Sequence, residues 1–163
     1  MVEYLWHVDG NDNPIGKVER GECHSRLLLH RSVAVFVFNR QGQMWVNRRS
    51  TKKKIFGGYI DCSVSAHVEY GETYEICAQR ETAEELRLKD KIKFMYKVRT
   101  DDKIDNMHVA VFRTETDAVP QIDREEIDSG EFMDVERVKE LVDKNPTTSW
   151  FKAALRKYLE DMN

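Results

Sequence analysis

Three carboxylates, Glu81, Glu84 and Glu85, stand at i, i+3 and i+4 in the stretch AHVEYGETYEICAQRETAEELRL, which runs from Ala66 to Leu88. On a helix turning about 100° per residue they fall within one narrow arc of the surface. Such an arc repels itself unless a cation neutralises it. Clustered carboxylate oxygens suit Mg²⁺ or Mn²⁺, and Mg²⁺ commonly completes its octahedron with water and substrate phosphate oxygens. Ile76, Ala83 and Leu86 point roughly the other way and are expected to form the buried side of the same helix. The neighbouring charges are regularly placed: from Glu72, seven residues pass before Arg80-Glu81 and two more before Glu84-Glu85.

The chain around this stretch has 163 residues, enough for one domain with a sizeable core. A hydrophobic fraction of 40% and a charged fraction of 34% describe a soluble globular protein with a charged surface. The net charge of -3 argues against bulk electrostatic binding of nucleic acid. Cys23, Cys62 and Cys77 are odd in number and form no C-x-x-C, which points to a reducing compartment. With no signal-like start and no apolar run of about 18 residues, no membrane segment is expected and the cytoplasm is the expected location.

The elements that must position the acidic helix follow in order. Tyr4 to Val8 and Ile15 to Val18 read as a hairpin across the turn Asp9 to Pro14. Glu19 to Leu29 is a short helical or irregular connection whose His24 and His30 read as surface or hydrogen-bonded residues. Ser32 to Phe38, SVAVFVF, is a buried central strand, and Gln43 to Arg48 is expected to return as its antiparallel partner. Ser50 to Lys54 is a basic loop, and Asp61 to Ser65 a short strand. Thr73 is the expected N-cap of the acidic helix, with Glu75 in its first turn and an end near Leu86. Strands are expected at Lys93 to Arg99 and Met107 to Thr114, separated by the polar loop Asp101 to Asn106. Pro120 to Gly130 reads as an exposed acidic loop and Glu131 to Met133 as a short last strand. Two helices close the chain, Val135 to Val142 and Trp150 to Met162, the second with Trp150, Phe151, Ala154, Leu155 and Tyr158 inward. Trp45, Tyr59 and Phe132 read as core residues.

The order of charges resembles the signature of the Nudix family, G-x5-E-x7-R-E-U-x-E-E-x-G-U, where U is aliphatic. Glu72, Arg80, Glu81, Glu84 and Glu85 all match. Ala66 and Arg87 stand where the two glycines belong, and Thr82 where an aliphatic residue belongs, which calls the loop and helix-end geometry into question. Together with VDGNDNPIGKVERGECH, LLHRSVAVFVFNRQGQMWVNRRSTKKKIFGG and TSWFKAALRKYL, the chain resembles the branch containing type I isopentenyl diphosphate isomerases and their bacterial hydrolase relatives. The resemblance implies a single α/β domain over residues 1–163, a Nudix α/β/α sandwich with a mixed sheet between helices. Its box spans 66–88.

The resemblance also implies the roles. Glu81, Glu84 and Glu85 are expected metal ligands, Glu72 a supplementary one, and the Ala66 carbonyl a further donor to Mg²⁺ or Mn²⁺. Arg80 holds one of the carboxylates in place, Arg49 and Lys53 contact the diphosphate, and His67 borders the site. The general base is Glu81 or Glu126. Isomerases of the branch use a Cys just ahead of the box and a Glu on a later strand; Ser65 and Met107 occupy those positions and can do neither job. Cys62, an odd number of residues earlier on a strand, is expected to face the other way. The expected activity is hydrolysis of a pyrophosphate bond in a nucleoside diphosphate derivative or related small diphosphate. The alternatives are an isomerase of isopentenyl diphosphate and a non-catalytic diphosphate sensor. A homodimer accords with the family, although no segment announces an interface.

Overall fold

The computed structural model describes residues 1–162. Strands β1 (Tyr4–Val8) and β2 (Pro14–Glu19) form the expected N-terminal hairpin, and α1 (Arg20–Ser25) follows. A larger mixed sheet is built from β3 (His30–Phe38), β4 (Met44–Arg49), β5 (Ile60–Asp61), β6 (Val64–His67), β7 (Lys93–Asp101), β8 (Asn106–Glu115) and β9 (Ile127–Met133). Helix α2 (Tyr74–Leu86) covers one face; α3 (Val135–Lys144) and α4 (Ser149–Asp161) cover the other. This is the α/β/α sandwich.

β3 shows why its sequence is almost continuously apolar. Side chains alternate across a strand, so Val33, Val35 and Val37 pack with Cys77, Ala78 and Leu86 of α2. Ala34, Phe36 and Phe38 pack with Phe151, Ala154 and Tyr158 of α4. Both faces are covered, and each such large side chain contributes about 1.5–3 kcal/mol by leaving water.

The expected β3/β4 hairpin is only its first rung, Phe38 with Met44. Beyond it the Ser63 hydroxyl sits between the two strands, accepting from the Val37 N–H at 2.9 Å and donating to the Trp45 carbonyl at 2.6 Å. The strands splay, so β4 takes β9 as its antiparallel partner while β3 pairs with β6 on one side and with β8, in parallel, on the other. β9 also begins at Ile127, earlier than its polar sequence suggests, which shortens the acidic loop. Gly130 lies in that strand because the Trp45 ring fills the space a Cβ would need, 2.5 Å away.

Helix α2 keeps its expected bounds. The Thr73 hydroxyl accepts from the Ile76 N–H at 3.1 Å and caps its start. Arg87, in place of the glycine, adopts φ 59 and ψ 33, and its N–H reaches the Ala83 carbonyl at 3.0 Å. The left-handed ending is kept without glycine. Leu86 is buried as expected, but the rest of the buried side is a correction: Ile76 is 57% exposed and Ala83 only partly covered, while Cys77, Ala78 and Thr82 are buried instead. The acidic arc lines a cleft, with Glu81 and Glu85 partly covered and Glu84 open to water, so the buried arc lies beside it. Among the described residues no helix is long and apolar enough to cross a membrane.

Candidate functional site

A cleft of about 360 Å³ opens where α2, β6, the start of β8 and the loops after β4 and before β9 meet. Arg49, Lys53, Ala66, His67, Arg80, Glu81, Glu84, Glu85 and Glu126 all line it. Glu72 does not. Its two oxygens accept from Arg80 Nε at 2.8 Å and Nη2 at 2.9 Å, and Arg80 Nη1 reaches Glu81 at 2.7 Å and Glu84 at 3.2 Å. Arg80 is thus a brace between the loop before α2 and two carboxylates on it. Burial works against ionised Glu72, but Arg80 and the Glu69 N–H hold its carboxyl below the usual range.

The helix carboxylates facing the cleft show the opposite pressure. Burial pushes the Glu81 carboxyl up, with Arg80 opposing and Glu84 and Glu72 adding to the rise. Glu85 is pushed up further, by burial and then by Glu81, Asp61 and Glu126. Its Oε2 is buried with no hydrogen-bond partner among the described residues. A buried carboxylate oxygen without a donor, amid other carboxylates, lacks a cation. Only oxygen ligands are offered here, which suits Mg²⁺ or Mn²⁺. The Ala66 carbonyl accepts from the Ser32 hydroxyl at 2.9 Å, and Ala66 lines the cleft beside these carboxylates. Ala66 itself lies in β6 opposite Val33, where no glycine is needed.

The phosphate candidates are held by acidic partners. Lys53 pairs with Glu126 across the cleft, and the Ser50 N–H donates to the Glu126 carbonyl at 2.9 Å. Arg49 donates to the buried Asp61 at 3.1 Å and to the Ile55 carbonyl at 3.2 Å. Ser65 and Met107 line the cleft at the positions argued above. Cys62 is 1% exposed, and burial pushes its thiol well up, which leaves it unreactive. It falls between β5 and β6, so burial rather than strand parity removes it from the cleft. Trp45 is core, Phe132 packs against it, and neither they nor Tyr59 line the cleft.

At the other end of the cleft lies a cluster the sequence reading did not assemble: His24, His30, His67 and Asp105, whose ligand atoms all lie within 4.8 Å of one another. They come from α1, β3, β6 and the loop before β8. Parallel pairing sets His30 beside Met107. Asp105, taken above for part of a polar loop, is 3% exposed. Its Oδ1 is 2.8 Å from His24 Nε2, 3.3 Å from His30 Nε2 and 3.7 Å from His67 Nε2. The other ring nitrogens explain the arrangement. Nδ1 of His24 is 2.8 Å from the Arg20 carbonyl, and Nδ1 of His30 is 2.8 Å from the Leu28 carbonyl. A carbonyl can only accept, so those nitrogens carry protons and each ring turns its Nε2 toward the Asp105 carboxylate. Asp105 pushes His24 up against the pull of burial, and in the charged form its Nε2–H donates to Asp105. A divalent cation would take the place of those Nε2 protons, and backbone-anchored Nδ1–H groups are the usual support of metal-binding histidines. Burial pushes His67 down to about 4, which keeps it neutral as a ligand must be. The Asp105 carboxyl is buried, yet the three histidines hold it far below the usual range. Nitrogen-rich donors suit transition ions rather than Mg²⁺. The available signal was three histidines with a buried aspartate, but no two adjoin in sequence.

Comparison with known proteins agrees with this fold. The model of the NUDIX domain matches residues 28–155. An uncharacterised Nudix hydrolase of Pseudomonas aeruginosa is 31% identical over 98% of this chain and 95% of its own. An isopentenyl-diphosphate Delta-isomerase of Photorhabdus laumondii is 30% identical over 93% of this chain and 90% of its own. Among solved structures, a Deinococcus radiodurans protein superposes with a TM-score of 0.82 at 27% identity, covering 95% of this chain and 98% of that one. With the domain match spanning most of its length, the chain belongs to the Nudix family.

Proposed function

We propose that the protein is a Mg²⁺- or Mn²⁺-dependent hydrolase of a diphosphate bond, in a nucleoside diphosphate derivative or a related small diphosphate. The observation that carries this reading is Glu85 Oε2, buried without a partner among the described residues beside Glu81 and Glu84. Glu81, Glu84 and Glu85 would hold the ion, with the Ala66 carbonyl as a further donor. A divalent ion there supplies charge to a phosphoryl oxygen and acidity to a water. Glu72 serves through Arg80, whose fork keeps Glu81 and Glu84 from swinging away. Lys53 and Arg49 take the diphosphate oxygens, and drawing Lys53 to phosphate releases Glu126 from its ion pair. Glu126 and Glu81 are the carboxylates disposed to take a proton from the attacking water. His24, His30, His67 and Asp105 would hold a second divalent ion of transition type at the far end of the same cleft.

The likeness to proteins named isomerases spans nearly the whole chain and gives isomerisation a place as the second reading. Ser65 and Met107 count against it: an alcohol has a far higher pKa than a thiol, and a thioether has no proton to give or take. A phosphate-release screen decides the matter. It should run with Mg²⁺ and with Mn²⁺ over nucleoside triphosphates, dinucleoside polyphosphates, nucleotide sugars, ADP-ribose, NADH, coenzyme A and isopentenyl diphosphate, with isomer formation followed on the last. Metal-dependent cleavage is expected. Isomer formation without release would replace the proposal, and tight binding without turnover would mark a sensor.

A further inference from the structure

We propose that Asp61 is a positioning residue for diphosphate binding: it fixes the Arg49 guanidinium against Trp150 so that Arg49 acts as a directional donor. The proposal rests on the diphosphate reading above. Asp61 is 3% exposed, and every oxygen it has is in use. Oδ1 accepts from the Cys62 N–H at 2.8 Å, the Thr148 hydroxyl at 3.0 Å, the Trp150 indole N–H at 2.8 Å and, more weakly, the Cys62 thiol at 3.4 Å. Oδ2 accepts from the Ser65 hydroxyl at 2.8 Å and from Arg49 Nη1 at 3.1 Å.

The two oxygens do different things. An asparagine carbonyl would serve the donors on Oδ1 equally well, because all of them are neutral. Docking of α4 does not need the charge either. The Thr148 N–H already donates to the Ile60 carbonyl at 3.0 Å, and the Ile60 N–H to the Pro146 carbonyl at 2.9 Å. What only a carboxylate can do is accept on Oδ2 from a hydroxyl and a guanidinium together, and both of those side chains line the cleft. A buried charge kept for that side alone is costly unless the pair it makes has a use.

Arg49 is pinned from three directions. Nη1 is held by Asp61, Nη2 by the Ile55 carbonyl at 3.2 Å, and the guanidinium carbon lies 5.5 Å from the Trp150 ring centroid. Its Nε is buried and has no partner among the described residues. With its charge balanced by Asp61, Arg49 offers an incoming anion a rigid, oriented hydrogen-bond donor more than a free positive charge. Lys53, on a flexible stem and paired only with Glu126, offers the opposite: a mobile charge. The two cations divide the work of orientation and attraction.

The test is calorimetric titration of the intact protein with methylenediphosphonate, a diphosphate that cannot be hydrolysed, in Mg²⁺. Asp61→Asn is expected to weaken binding by about tenfold or more, the loss of a charge-assisted contact's geometry. In an Arg49→Ala background the same change should weaken it no further, because the effect passes through Arg49. Wild-type affinity in Asp61→Asn, or an equal loss in both backgrounds, overturns the proposal while leaving the hydrolase reading standing. Failure of the wild-type protein to bind the probe overturns both. If Asp61→Asn does not fold, Arg49→Lys carries the test: it keeps the charge but cannot span Asp61, Ile55 and the Trp150 face. A comparable loss supports directional positioning, and unchanged affinity overturns it.

Discussion

The two ends of the cleft hold their charges by opposite means. At the α2 end, carboxylates are crowded by one another and by burial, so Glu81 and Glu85 are pushed up, restrained mainly by Arg80. At the histidine end, Asp105 is already held by three imidazoles and pushed down, and two of the rings are locked by backbone carbonyls. One end is built to be relieved by a cation, the other is preorganised for one. On the proposed reading, a hard ion fits the first and a transition ion the second.

The strongest way to break this contrast is Glu85→Gln. Turnover with Mg²⁺ or Mn²⁺ should fall by about 10²–10⁴ in steady-state assays, because an amide of the same size removes ligand charge. Wild-type turnover would sink the carboxylate metal site. Next, Asp105→Asn should lower affinity for Zn²⁺ or Mn²⁺ at the histidine end by about tenfold or more, read by metal content after dialysis. The Mg²⁺ activation midpoint should hardly move; a parallel shift would mean the ends are not independent.

Chelated protein sharpens the contrast further, through pH. Glu85 is raised by folding, so its contribution to stability is full below its unfolded value near 4.5 and is lost as pH rises through the higher folded value. Glu85→Gln should therefore match wild type in acid and exceed it near pH 7 in thermal or urea unfolding. Asp105 is lowered, so its contribution is present above its unfolded value near 3.8 and lost as pH falls toward the folded one. Asp105→Asn should destabilise near neutral pH and progressively less in acid. Equal signs for the two variants at pH 7 would contradict the contrast. The smallest effect is expected at Arg87→Gly, which should raise stability by about 0.5–1 kcal/mol without changing turnover, since it removes a side chain from a left-handed position.

How far the sequence could be read follows from the same contrast. Thr73, the acidic spacing and the end at Leu86 are signals within one helix, so α2 was legible to its last residue, as was the inward face of α4. The direction of the acidic face was not, since whether carboxylates meet water or a cleft depends on what packs opposite. Ile76 is the residue that shows it. The partner of β4 was misplaced because Ser63, distant in sequence, replaces rungs of the hairpin. Asp105 was hidden for the strongest version of this reason: an aspartate in a polar loop looks solvated until His24, His30 and His67 arrive from three other segments.

Arg87 also bears on how the family's signature is to be understood. The final glycine of the box is a conformational preference, and the left-handed turn it marks is the actual requirement. Since Arg87 meets that requirement at a modest energetic cost, the position can drift among residue types over evolutionary time while the helix still stops in the same place. Patterns that insist on glycine there would exclude chains whose box carboxylates are all in place.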